Sequence, residues 1–136
     1  MSNKVALISI LSLSIFLIAC KSGYSPDVQK LHDEVMVIHD EVMPEMGTIH
    51  KLKKELKKKL DSEGDNIDEA DIQNNIKALD YADEAMMGWM HQFKMPKDQS
   101  DDQLLEYLED QKVKIKKVNL DMKTVIKNAK IANEKY

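Results

Sequence analysis

His32-Asp33-Glu34-Val35-Met36 and His39-Asp40-Glu41-Val42-Met43 are one five-residue unit written twice, seven positions apart. Seven residues make close to two helical turns, so each residue type returns to the same side of an α-helix. Outward from this repeat, Val28, Leu31, Val35, Ile38 and Val42 follow one another in steps of three and four. Ile49, Leu52 and Leu56 resume the stripe beyond Glu45. The spacing predicts one amphipathic helix over residues 26–61. Ser25 suits its N-cap, and Pro26 its first position, where a missing N–H costs nothing. Pro44 falls inside the helix and cannot donate to the carbonyl of Asp40, which predicts a kink or local opening there.

Two further stripes follow. Ile72, Leu79, Ala82, Met86, Trp89 and Phe93, widened by Ile76 and Met90, predict a helix over 67–95. Asn66 and Glu69 form a capping-box pattern at its start, and Met95-Pro96-Lys97 ends it. Leu104, Leu108, Ile115, Val118, Met122, Val125, Ala129 and Ala132, interrupted by Gln111, predict a third helix over 101–134. Ser100 and Gln103 cap that one. With 4 Gly, 3 Pro and 5% aromatic residues, the composition is that of an all-α chain. Three amphipathic helices on short loops predict an antiparallel, up-down-up three-helix bundle over 26–136, with coiled-coil-like heptad packing. The lysine run Lys51 to Lys59 and the acidic run Asp61 to Asp71 read as solvated helix ends that compensate each other, with a protein-docking patch as the other reading.

The first nineteen residues are of another kind. Lys4 is followed by the uncharged run Val5 to Ile18, apolar apart from Ser9, Ser12 and Ser14. Its fourteen residues would rise only about 21 Å as a helix, short of the ~30 Å of a bilayer's hydrocarbon, so residues 1–19 read as a cleavable signal peptide. Leu17-Ile18-Ala19-Cys20 directly after that run resembles the lipobox of bacterial lipoproteins. The resemblance implies that Cys20 is lipidated and becomes the mature N-terminus, with residues 20–25 as lipidated cysteine and tether. Several acyl chains together make a durable membrane anchor. Cys20 is the single cysteine, so the expected mature domain has neither a disulfide nor a thiolate ligand.

Removal of residues 1–19 takes away one lysine and leaves 19 lysines against 24 acids, a net charge of −5. That balance argues against nucleic acid and anionic lipid as partners. Every basic residue is lysine, which weakens the case for a bidentate phosphate or carboxylate site. Glu-x-x-His pairs, His-Glu-x-x-His and glycine-rich phosphate loops are all missing, and the chain reads as a non-enzyme.

The repeat also carries soft donors. His32, Met36, His39, Met43, Met46 and His50 continue it in steps of four and three, about 100° around the helix from the apolar seam. Met86, Met87, Met90 and His91 cluster on the second helix, and seven methionines lie between Met36 and Met95. A hairpin turning near Gly64 would set His39 level with Trp89, Met43 with Ala85, Met36 with Gln92 and His50 with Ala78. The candidate metal ligands are therefore Met36, His39, Met43, Met87, Met90 and His91. Thioether and imidazole suit Cu(I) or Ag(I), and as an axial pair haem iron. Methionine is equally a flexible core filler, and the stripe fits that role as well.

His39-Asp40-Glu41-Val42-Met43-Pro44-Glu45-Met46, with Met86-Met87-Gly88-Trp89-Met90 downstream, resembles small Bacteroidetes lipoproteins often labelled "viral A-type inclusion protein". The resemblance covers most of the mature chain. It implies a helical fold and a location outside the cytoplasm, and no mechanism. Lys21 after the cysteine, with no acidic run following it, departs from the surface-export signals of some such bacteria, so the resemblance implies the periplasmic leaflet of an outer membrane. Two functions are expected from the sequence. One is a lipid-anchored extracytoplasmic binding or scaffold module for an envelope protein. The other is a Cu(I)- or Ag(I)-binding periplasmic lipoprotein. The long apolar stripe of the third helix leaves a homo-oligomeric seam open.

Overall fold

The three stripes become helices that pack on one another. The computed structural model describes residues 23–62 and 67–136. Signal residues 1–19, Cys20, the loop residues Glu63, Gly64 and Asp65, and the expected cap Asn66 lie outside the described residues. Four helical segments follow in order: α1 (Pro26–Val42), α2 (Glu45–Asp61), α3 (Glu69–Gln92) and α4 (Asp101–Lys135). Among the described residues no helix is long and apolar enough to cross a membrane.

The expected single helix over 26–61 is thus two, and the reason is Pro44. Met43 and Pro44 both keep right-handed helical dihedrals, so the chain does not turn back on itself. What changes is the bonding. Met46 N–H and Gly47 N–H donate to the carbonyls of Met43 and Pro44 at 3.2 and 3.3 Å, a tightened i→i+3 pattern around a residue that has no N–H. Ser25 caps α1, its hydroxyl accepting from Val28 N–H at 3.4 Å, and Pro26 opens the helix as expected.

The expected boundaries of the second helix also shift. Asp68 is the cap of α3, its carboxylate accepting from Asp71 N–H at 3.0 Å, so the helix begins at Glu69. At the other end Phe93 turns extended and α3 stops at Gln92, three residues short of Met95. Pro96 disfavours helical backbone at Met95, and the chain leaves the helix before reaching it. Asp98 then takes a left-handed conformation at φ 57°, which a short polar side chain tolerates better than most. Ser100 and Gln103 make the full reciprocal capping box of α4.

Cross-helix pairs set the directions. His39 meets Trp89, His50 meets Asp83 and Lys53 meets Asp80, so α1–α2 and α3 run antiparallel. Glu34 meets Lys112, Glu41 meets Lys123 and Glu55 meets Asn133, so α4 runs parallel to α1–α2. The core sits among these segments: Val28, Val35, Val42, Ile49 and Leu56 of α1–α2 face Ile72, Leu79 and Met86 of α3 and Leu108, Ile115 and Met122 of α4, all at or near zero exposure.

On α4 the expected stripe is displaced. Val118 and Val125 are only half-buried, while Asn119 and Ile126 take the inner positions, and Gln111 is buried where the apolar pattern lapses. A straight helix turns about 20° per heptad relative to a 3.5-residue repeat. Over the 35 residues of α4 the inward face therefore moves off a stripe chosen for apolarity alone.

Candidate functional site

The five-residue unit has a structural use, and both copies share it. His32 packs its ring against Phe93, with centroids 5.9 Å apart, and His39 packs against Trp89 at 5.7 Å. Each imidazole Nδ1 lies by the aspartate that follows it, at 3.5 Å for Asp33 and 2.8 Å for Asp40. Each glutamate reaches a lysine of α4: Lys112 Nζ donates to Glu34 at 2.6 Å, and Lys123 Nζ to Glu41 at 2.5 Å. Each valine, Val35 and Val42, is fully buried, and each methionine, Met36 and Met43, is half-buried, Met43 against the core. The heptad thus joins α1 to α3 by its histidines and to α4 by its glutamates.

These pairs move the charges' affinity for protons. The hydrogen bond from Lys112 holds the Glu34 carboxyl below its ordinary range, helped by the charges of Lys30 and Lys116. Glu41 is held down first by the Lys123 hydrogen bond, then by that of Asn119. Asn119 is a buried polar residue that apolar periodicity could not flag. Its Nδ2 donates to Glu41 at 3.0 Å and to the Ile38 carbonyl at 3.4 Å.

The aromatic side of the site continues along α3. Trp89 stacks on Phe93 with centroids 4.8 Å apart, and Phe93 on Tyr107 at 6.2 Å. The Tyr107 hydroxyl accepts from Lys94 N–H at 3.1 Å. Trp89 is 7% exposed, and its Nε1–H is buried without a hydrogen-bond partner among the described residues.

The six candidate metal ligands are spread over different surroundings. Met43 and Met90 are half-buried against the core, and His39 is covered on its Trp89 side. Met36 is half-buried, Met87 is 39% exposed and His91 is exposed. The expected level of His39 with Trp89 is what the structure has. His50, expected beside Ala78, instead places Nε2 3.3 Å from an Asp83 carboxylate oxygen, five residues away. The break at Pro44 separates the two registers, so a level taken from α1 does not carry over to α2.

Beyond the break, α2 and α3 meet along a ladder. Lys53 pairs with Asp80 and, at 3.8 Å, with Asp83, while His50 pairs with Asp83. The Asp80 hydrogen bond raises the Lys53 ammonium's pKa against the opposing pull of burial. Among the described residues no three His, Cys, Asp or Glu side chains are arranged to hold a metal ion.

Among the described residues, apolar surface is exposed on α1 and on α4, as well as at Tyr81 and Met87 of α3. An open groove of about 780 Å³ runs along α1 beside Lys112, floored by Pro26, Val37 and Ile38. On the outer side of α4, Val113, Leu120 and Ile131 are 67%, 66% and 55% exposed. Their intervals of seven and eleven put them on one line of the helix. In comparisons with protein-family models, curated proteins and solved structures, nothing matches this chain.

Proposed function

We propose that this chain is a lipid-anchored, extracytoplasmic helical scaffold or binding module that has no enzymatic activity. One observation carries the reading: both copies of the His-Asp-Glu-Val-Met unit are spent on contacts between helices. A repeat that looked chemical is what locks three helical segments into a rod. The 36 residues from Pro26 to Asp61 extend it over about 54 Å at 1.5 Å per residue. Under the lipobox reading the anchor at Cys20 adjoins the α1 end of this rod. The opposite end then stands off from the membrane, with Val37, Val113, Leu120 and Ile131 exposed along the shaft for an envelope partner.

The reading is tested in the producing cell with the full-length chain. Labelled palmitate should enter the protein, the protein should fractionate with membranes, and Cys20→Ala should abolish the labelling. An unsubstituted chain that takes up no palmitate and is released in soluble form would overturn the anchor. The periplasmic leaflet of an outer membrane is the location we favour, on the strength of Lys21.

A second reading, a Cu(I)- or Ag(I)-binding lipoprotein, keeps one specific support. Met43, Met46, Met86 and Met90 all pack in or against the same core as Trp89, which His39 covers. Competition titration of the domain with Cu(I) under reducing conditions, beside a Met36/Met43/Met90→Leu variant of similar volume, tests that reading and its original site.

A further inference from the structure

We propose that Met46, His50 and Met87 form a Cu(I)- or Ag(I)-binding site across the seam of α2 and α3, with Asp83 as its positioning residue. The proposal deepens the second, soft-metal reading and moves the site along the soft-donor stripe to Met46 and His50, keeping only Met87 of the six ligands expected from the sequence.

Two rungs cross the seam of α2 and α3. Lys53 meets Asp80 and His50 meets Asp83. From Lys53 to His50 is three residues back along α2, and from Asp80 to Asp83 is three forward along α3. Antiparallel helices rise equally per residue, so the next rung lies one further turn along on each. Four back from His50 is Met46, and four on from Asp83 is Met87. Residues four apart share a helix face, so both thioethers stand on the sides that already meet across the seam. Two charged rungs are therefore followed, within α2, by one rung of sulfur.

The surroundings suit a soft cation. Met46 is half-buried against the core and Met87 is 39% exposed, so the thioethers lie at the boundary between core and water. Three rotatable bonds let each methionine swing its sulfur toward a shared point. The His50 side chain is 61% exposed, which leaves an entry path, while the Asp83 side chain is 22% exposed. With Nε2–H donating to Asp83, the lone pair of Nδ1 is free for a metal. A carboxylate behind a ligating imidazole fixes its tautomer and strengthens it as a ligand. Sulfur and imidazole favour Cu(I) and Ag(I), whereas Ca(II), Mg(II) and Zn(II) sites are built from oxygen, or from nitrogen and thiolate.

The domain itself serves as the test object, because among the described residues every buried core side chain lies between Val28 and Ala132. Residues 23–136 with ¹³C-labelled methionine methyls would be titrated with Ag(I), and with Cu(I) against a competing chelator under reducing conditions. The methyl signals of Met46 and Met87 should move first. Met46→Leu/Met87→Leu should lose competitive binding, and Asp83→Asn should weaken it by about 10- to 100-fold. His50→Gln, at an exposed position that leaves the core intact, should weaken binding without changing the melting temperature. Binding that survives in the Met46/Met87 variant and disappears in the Met36/Met43/Met90 variant would overturn this site while leaving the metal reading in place. No binding by the unsubstituted domain would overturn both.

Discussion

Trp89→Phe is expected to leave stability within about 1.5 kcal/mol of the parent, although Trp89 is the largest aromatic side chain of the core. The replacement removes two ring carbons' worth of burial, about 1.6 kcal/mol at ~0.8 per carbon. A void of roughly 40 Å³ adds about 1 kcal/mol at ~24 cal/mol per Å³ where the walls do not close in. Against this stands the indole N–H, buried without a partner among the described residues, whose desolvation costs about 1–3 kcal/mol and vanishes with phenylalanine. The two sides nearly cancel. Trp89→Ala has no such offset and should cost about 3–5 kcal/mol, because it also removes the surfaces against which Phe93 and His39 pack. Urea unfolding of both variants is best followed by far-ultraviolet circular dichroism, since Trp89 is the single tryptophan and its fluorescence is lost. A cost above about 3 kcal/mol for phenylalanine would mean that Nε1 had a partner whose hydrogen bond was lost, and the reasoning would fail.

Three further outcomes follow from the same contacts. Asn119→Ala should destabilise the bundle by about 1–3 kcal/mol through loss of its buried hydrogen bonds; denaturant unfolding that differs by less than about 0.5 kcal/mol would show that α1 and α4 hold together without it. Glu34 and Glu41 have folded pKa values below their unfolded ones, so their contribution is present above the ordinary carboxylate range and is lost as pH falls through the lowered values. Thermal melting should therefore fall on acidification below about pH 5, and fall less steeply in Glu34→Gln/Glu41→Gln; an equal slope in the two proteins would remove these carboxylates from the explanation. Pro44→Ala restores a donor where the backbone is already helical and should raise stability by about 1–2 kcal/mol, measured by melting, whereas a loss of stability would mean that the break itself is required by the packing.

How much of this could be read from the chain differs between the helices and the site. Local patterns were enough for the helices: the three-and-four spacing of apolar residues, Ser25 before Pro26, and the Ser100–Gln103 box act within one or two turns, so neighbouring residues specify them wherever the segment ends up. The core of α1–α2 follows for the same reason, because Val28 to Leu56 keep the three-and-four spacing on either side of the lapse at Glu45. Tertiary structure decided what spacing leaves undetermined. Pro44 could be recognised as an irregularity, but not that the pairing of α2 with α3 would differ by five residues from that of α1, because register depends on how two helices cross. Asn119 and Gln111 are buried through the slow rotation of a long helix against two different neighbours, which no single stripe records. The repeat of His-Asp-Glu-Val-Met was plain in the sequence, yet its meaning lay in Phe93, Trp89, Lys112 and Lys123, residues about 50 to 80 positions away that only folding brings to it.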